Sequence, residues 1–176
     1  MDQPAPTSLA ERGKQEYGKG SYLAAADLFS QAALAYTSAQ DPLNAAEMKN
    51  NESVAWLRAG KAKEALQATE GTEAVFQQAG DLKRQGIAIS NRAAALEALK
   101  QWKDALAEYD RAASLFEQVG AGDMHSIVRK AAADIHLKHG HIADSQMDVY
   151  DSLRLVEKPT FTQRIMKFLM RIGLIK

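Results

Sequence analysis

Four histidines lie close together late in the chain, at His125, His136, His139 and His141. His136 and His139 are one helical turn apart, and Asp134 or Asp144 can join them, which brings together two ordinary kinds of ligand for a divalent transition metal. The spacing matches no recognised ligand motif, and histidines near a helix end are also favourable there as partial positive charges. The second reading is preferred. No metal site is expected, and a pH response of this stretch is a milder alternative. The run Gly13-Lys14-Gln15-Glu16-Tyr17-Gly18-Lys19-Gly20 nearly spells a phosphate-binding loop. Its last position holds glycine where magnesium needs a serine or threonine, and the motif requires a preceding strand. No nucleophile stands paired with a base. Acids such as Glu97, Glu108, Asp110 and Glu117 alternate with apolar residues at helical spacing and read as solvated faces. Neither an enzyme nor a cofactor is expected.

The elements carrying these side chains follow from an internal period, which has to be sought first because it decides the fold. Gly20, Gly60, Lys100 and Gly140 form a turn column 40 residues apart. Tyr22, Ala62, Trp102 and Ile142 follow two residues later, then a small column at Ala25, Ala65, Ala105 and Ser145. Phe29, Thr69, Tyr109 and Val149 come next, then Ala32, Thr72, Ala112 and Ser152, then Tyr36, Phe76, Phe116 and Val156. Seven residues before each turn stands another small residue: Gly13, Ser53, Ala93 and Ala133. Within each period apolar residues recur at threes and fours, as in Leu23, Ala26, Phe29, Ala33 and Tyr36, which marks one face of a helix. The spacing predicts helix pairs over 7–19 with 22–39, 43–59 with 62–79, 82–99 with 102–119, and 123–139 with 142–156. Gly80-Asp81, Gly120 to Asp123, Asp41-Pro42 and the Ser8–Glu11 spacing supply stop and cap signals.

Composition narrows the class. A chain of 176 residues with 22 basic and 22 acidic side chains has no global pull on nucleic acid or an anionic surface, and no nucleic-acid partner is expected. The absence of cysteine excludes disulfides and thiolate chemistry. Met1-Asp2-Gln3-Pro4 lacks the basic start of a signal peptide, and no apolar run is long enough to span a bilayer, so a soluble cytoplasmic protein is expected.

The columns resemble the tetratricopeptide repeat, with its small residue, turn glycine, aromatic, alanine, aromatic and alanine, over roughly residues 7–156. Ser90 to Gly120 is the clearest copy. The period exceeds the usual 34 residues and resembles the longer-repeat branch that includes kinesin light chain. The resemblance implies an all-α, right-handed superhelix of four helix pairs whose concave groove, lined by the first helices, binds a peptide or protein segment. It also implies a role for Asn51 and Asn91, which stand with Glu11 and Ala131 in one column. In the longer-repeat relatives an asparagine ladder here grips the ligand backbone, and an amide offers both the donor and the acceptor for that task. The competing reading is two tolerated polar residues on exposed helix faces. Neighbours expected to line the same groove are Lys14, Glu47, Asn50, Arg58, Ser90 and Lys130, with Glu97, Asp134 and Lys138 beyond them.

Past Pro159 the pattern changes. Phe161, Ile165, Phe168, Ile172 and Ile175 recur at helical spacing, broadened by Met166 and Leu169. Lys158, Arg164, Lys167, Arg171 and Lys176 face only Glu157. A helix capping the last repeat is the preferred reading, using Phe161, Ile165, Phe168, Leu169 and Ile172. Self-association, with the chain as a homo-oligomer, and attachment to a membrane surface are the alternatives. The expected organisation is therefore a flexible 1–6, repeats at 7–40, 41–80, 81–120 and 121–156, and an amphipathic helix over 160–176.

Overall fold

Apolar columns at a fixed period require helices that stack, and the chain builds them. A computed structural model of the chain describes residues 5–171. Its order is α1 (Pro6–Gly18), α2 (Tyr22–Ser38), α3 (Pro42–Arg58), α4 (Ala62–Ala68), α5 (Thr72–Gln78), α6 (Leu82–Ala98), α7 (Trp102–Gln118), α8 (Gly122–Lys138), α9 (Ile142–Arg154) and α10 (Phe161–Arg171). Among the described residues there is no strand. The architecture is a tetratricopeptide-like stack in which successive helices pack on one another, α1 on α2, α2 on α3 and onward.

Seven of the helices, α1 to α3 and α5 to α8, end by the same device. Gly20, Gly60 and Gly140 have positive φ, and so do Gly80 and Gly120 half a period away. Gln40 and Lys100 occupy the two remaining turns at φ 56° and 63°, a conformation that L side chains adopt at some cost. A left-handed residue thus recurs every twenty positions from Gly20 to Gly140 and reverses the chain after these seven helices. Two of the expected caps form: Asp41 accepts from the Asn44 amide at 3.1 Å and Asp81 from the Arg84 amide at 2.9 Å. Two do not. α1 begins beyond Ala5 with no side-chain cap, leaving Glu11 to pair with Lys14, and α8 begins beyond Ala121, so Asp123 sits inside the first turn.

The helix expected over 62–79 is broken. Gly71, at φ 76°, separates α4 from α5, and two threonine hydroxyls stabilise the interruption. Thr69 donates to the Leu66 carbonyl at 2.6 Å and Thr72 to the Thr69 carbonyl at 2.8 Å, in competition with the helical ladder. The corresponding positions in α2, α7 and α9 are Gln31, Arg111 and Asp151, all compatible with continued helix.

The small columns are buried because they set the helix spacing. A Cβ on Gly13 would stand 2.8 Å from the Phe29 ring, and one on Gly86 2.8 Å from the Phe116 ring. The core forms two large clusters, one around Phe29, Met48 and Ala55 and the other around Ile89, Tyr109, Phe116 and Ile135. Ala46, Phe76 and Ala88 form a third, smaller cluster beside the broken helix.

Candidate protein-binding face

Asn51 and Asn91 occupy the middles of α3 and α6, each half-buried. The hydrogen bonds around them engage other side chains: Trp56 donates to Glu52, Ser90 to the Ile87 carbonyl and Tyr109 to Glu97. Glu11 at the equivalent place in α1 is exposed, and Ala131 in α8 is half-buried.

Asn50 departs from expectation. It is 4% exposed, and its Oδ1 has no hydrogen-bond partner, so it does not line an open groove. One residue is a rotation of about 100° around a helix, and that step moves Asn50 into the column of Ala10, which is also buried. The same column reaches the surface further along, at half-buried Ser90 and exposed Lys130.

The charged neighbours are largely engaged with one another. Lys14 Nζ lies 2.8 Å from Glu11, which raises the lysine pKa. Arg58 donates to the Tyr22 hydroxyl at 2.9 Å, and its guanidinium stands 5.1 Å from the centre of that ring. Glu47 pairs with Arg84 at 3.4 Å, and Lys138 with Glu97 at 3.8 Å. Asp134 is exposed. Burial pushes the Tyr109 hydroxyl well above its usual pKa, and the charge of Glu97, to which it donates, adds to that.

Ion pairs also link neighbouring repeats. Arg84–Glu47, Arg111–Glu73 and Arg154–Glu117 each bridge about one period. Arg129 joins Asp110 at 2.5 Å, Asp148 at 3.5 Å and Asp151 at 2.7 Å. The broken helix contributes a mostly apolar cavity of about 290 Å³, formed between Pro42, Ala45 and Ala46 of α3 and Gly71, Thr72 and Val75.

The histidines divide. His125 is fully buried, with Nε2 3.4 Å from Asp151, and burial pushes its pKa down against the opposing pull of that carboxylate. His139 lies against Trp102. His136 and His141 converge with Asp144 across the α8–α9 turn, with one ligand atom from each within 4.8 Å of the others. Two nitrogens and one oxygen there can serve a divalent ion, or act as imidazole–carboxylate pairs at 3.6 and 4.0 Å once protonated.

α10 meets the stack on α9, but not through the expected seam. Phe161, Ile165 and Phe168 are exposed and Leu169 is half-buried, while Met170 and Lys167 share a cleft with Tyr150, Leu153 and Arg154. Ile172 lies outside the described residues.

A family model described as soluble NSF attachment protein, SNAP, matches residues 18–171. Among solved structures, the crystal structure of BtubC (BKLC) from P. vanneervenii superposes with a TM-score of 0.72 at 14% identity, covering 93% of this chain and 68% of the other. At that identity the likeness concerns the fold. No curated protein matches the sequence significantly.

Proposed function

This chain belongs to the soluble NSF attachment protein family, and we propose that it is a non-catalytic attachment module that grips a peptide or protein segment along its first-helix face. Helical-repeat proteins of this kind mediate protein interactions, and the family is named for attachment to another protein. The observation that carries the finer reading is the pair Asn51 and Asn91. They stand at equivalent places in α3 and α6, half-buried, among neighbours whose polar groups are already engaged. Two amides one repeat apart can each pair with a peptide unit of an extended segment, several residues apart along it, whatever the ligand's side chains. Lys130 and the ion-paired Lys14, Glu47 and Arg58 border this face and would tune preference. The longer-repeat kinship with kinesin light chain stays part of the same proposal.

The test is affinity capture from native lysate with wild type and an Asn51→Ala, Asn91→Ala double variant of unchanged helicity. A partner retained by wild type and lost by the variant is expected. Equal retention by both would remove the asparagines from the account.

A further inference from the structure

The C-terminal helix is oriented the wrong way for a simple cap. Its start is secured locally: the Gln163 amide donates to Thr160 Oγ1 at 3.3 Å, and the Thr160 amide donates to Gln163 Oε1 at 2.7 Å, a reciprocal capping box. α10 can therefore stay helical without burying its apolar side. It leans on α9 by the edge that carries Met166 and Met170, both half-buried, and Lys167 donates to the Val156 carbonyl at 3.3 Å. Phe161, Ile165 and Phe168 sit roughly 150° around the helix from that edge. They are 77%, 43% and 59% exposed. A cap would turn the phenylalanines inward. Here they face away from the repeats.

Charge decides what such a face fits. The chain is neutral overall, with 22 basic and 22 acidic residues, yet from Lys158 to its end it holds five basic residues and no acidic one. The repeats therefore carry the matching acidic excess. An anionic surface attracts α10 and repels the body, so the molecule would approach phenylalanines first, with Arg164 and Lys158 exposed beside them. A separate helix with an aromatic–aliphatic face and basic flanks is the arrangement that lies in a lipid headgroup layer.

We propose that α10 attaches this protein reversibly to anionic lipid surfaces, with Phe161, Ile165 and Phe168 entering the headgroup–acyl boundary and the exposed Lys158 and Arg164 holding lipid phosphates. The attachment is distinct from the asparagine-bearing face and does not depend on it.

The experiment is vesicle sedimentation of the full chain, using neutral phosphatidylcholine vesicles and vesicles in which a quarter of the lipid is phosphatidylglycerol. Wild type should pellet with the anionic vesicles and stay in solution with the neutral ones. A basic residue near an anionic surface is worth roughly fivefold in partitioning, so Lys158→Gln with Arg164→Gln should weaken it on the order of 25-fold. Phe161→Ser with Phe168→Ser should abolish it while helicity and Tm stay unchanged. No pelleting, equal pelleting with neutral lipid, or equal pelleting of the serine variant would overturn the proposal. So would light scattering in which the serine variant halves the wild-type mass, because the face would then belong to a second copy of the chain.

Discussion

Replacing Gly86 by alanine sets two known effects against each other at a site where the structure decides between them. Gly86 lies inside α6, where alanine is intrinsically better than glycine by about 1 kcal/mol. Its added Cβ would stand 2.8 Å from Phe116 Cε1 and 3.1 Å from Cδ1 and Cζ. The ring has nowhere to retreat, being 1% exposed and packed in the cluster with Ile89, Tyr109 and Ala112. Overpacking of this kind costs about 1–3 kcal/mol. The balance is a net loss of roughly 1 kcal/mol, or a fall in Tm of about 2–4 °C for a chain of this size. Circular dichroism melts of wild type, Gly86→Ala, Phe116→Leu and the double variant complete a cycle. In the leucine background the clash is relieved, so Gly86→Ala should be neutral or stabilising, with a coupling on the order of 1 kcal/mol or more. Additive effects, or a single variant more stable than wild type, would show that close approach of α6 to α7 is not what glycine supplies.

Three further outcomes follow from single positions. Lys100 sits at φ 63° in a turn column otherwise filled by glycine, so Lys100→Gly should raise stability by roughly 0.5–1 kcal/mol, partly offset by the freer unfolded chain, as read by urea unfolding. A Cβ on Gly122 would stand 2.1 Å from the Leu155 carbonyl oxygen, so Gly122→Ala should dislodge the end of α9, and limited proteolysis should cut there faster than in wild type. His125 is held below its usual pKa of about 6.5, so the unfolded chain takes up the proton first. Its contribution is complete above that value and lost as pH falls below it. Tm should drop as pH falls through about 6.5, His125→Gln should flatten the drop, and an identical slope in both proteins would refute the assignment.

The helix stack was legible because its signals are local and periodic. Turn glycines, the Asp41 and Asp81 caps and the small columns each act within one or two helical turns, and the period repeats them until they stand out. The break at Gly71 was not legible in the same way, since an isolated glycine is tolerated within a helical pattern. What ends α4 is the combination of Gly71 with hydroxyl bonds from Thr69 and Thr72, and those two residues read in sequence only as weakened copies of apolar columns. Asn50 and Asn91 illustrate a finer limit. Asn50 was expected to line the groove beside the ladder residue Asn91, but one step around the helix buries Asn50 and leaves Asn91 half-exposed. Arg84–Glu47 and Arg154–Glu117 were hidden because charge columns look like solvated faces until neighbouring repeats are placed side by side. In α10 the amphipathic pattern was plain, whereas the side turned toward α9 depends on how the helix is docked.

The two proposed surfaces differ in the physics that would hold a partner, and salt separates them. On the first-helix face Lys14, Glu47, Arg58 and Glu97 already have partners. Exposed pairs of this kind are worth about 0–1 kcal/mol each, so an incoming charge gains little by displacing one. Recognition there would rest on neutral amides and apolar contact, and capture through Asn51 and Asn91 should persist as salt rises from about 0.1 to 0.5 M. α10 instead concentrates unopposed positive charge beside an apolar face, and its hold on anionic vesicles should fall steeply over the same range. If captured protein and bound lipid disappear together as salt rises, the amides are not the grip, and both activities belong to the basic helix.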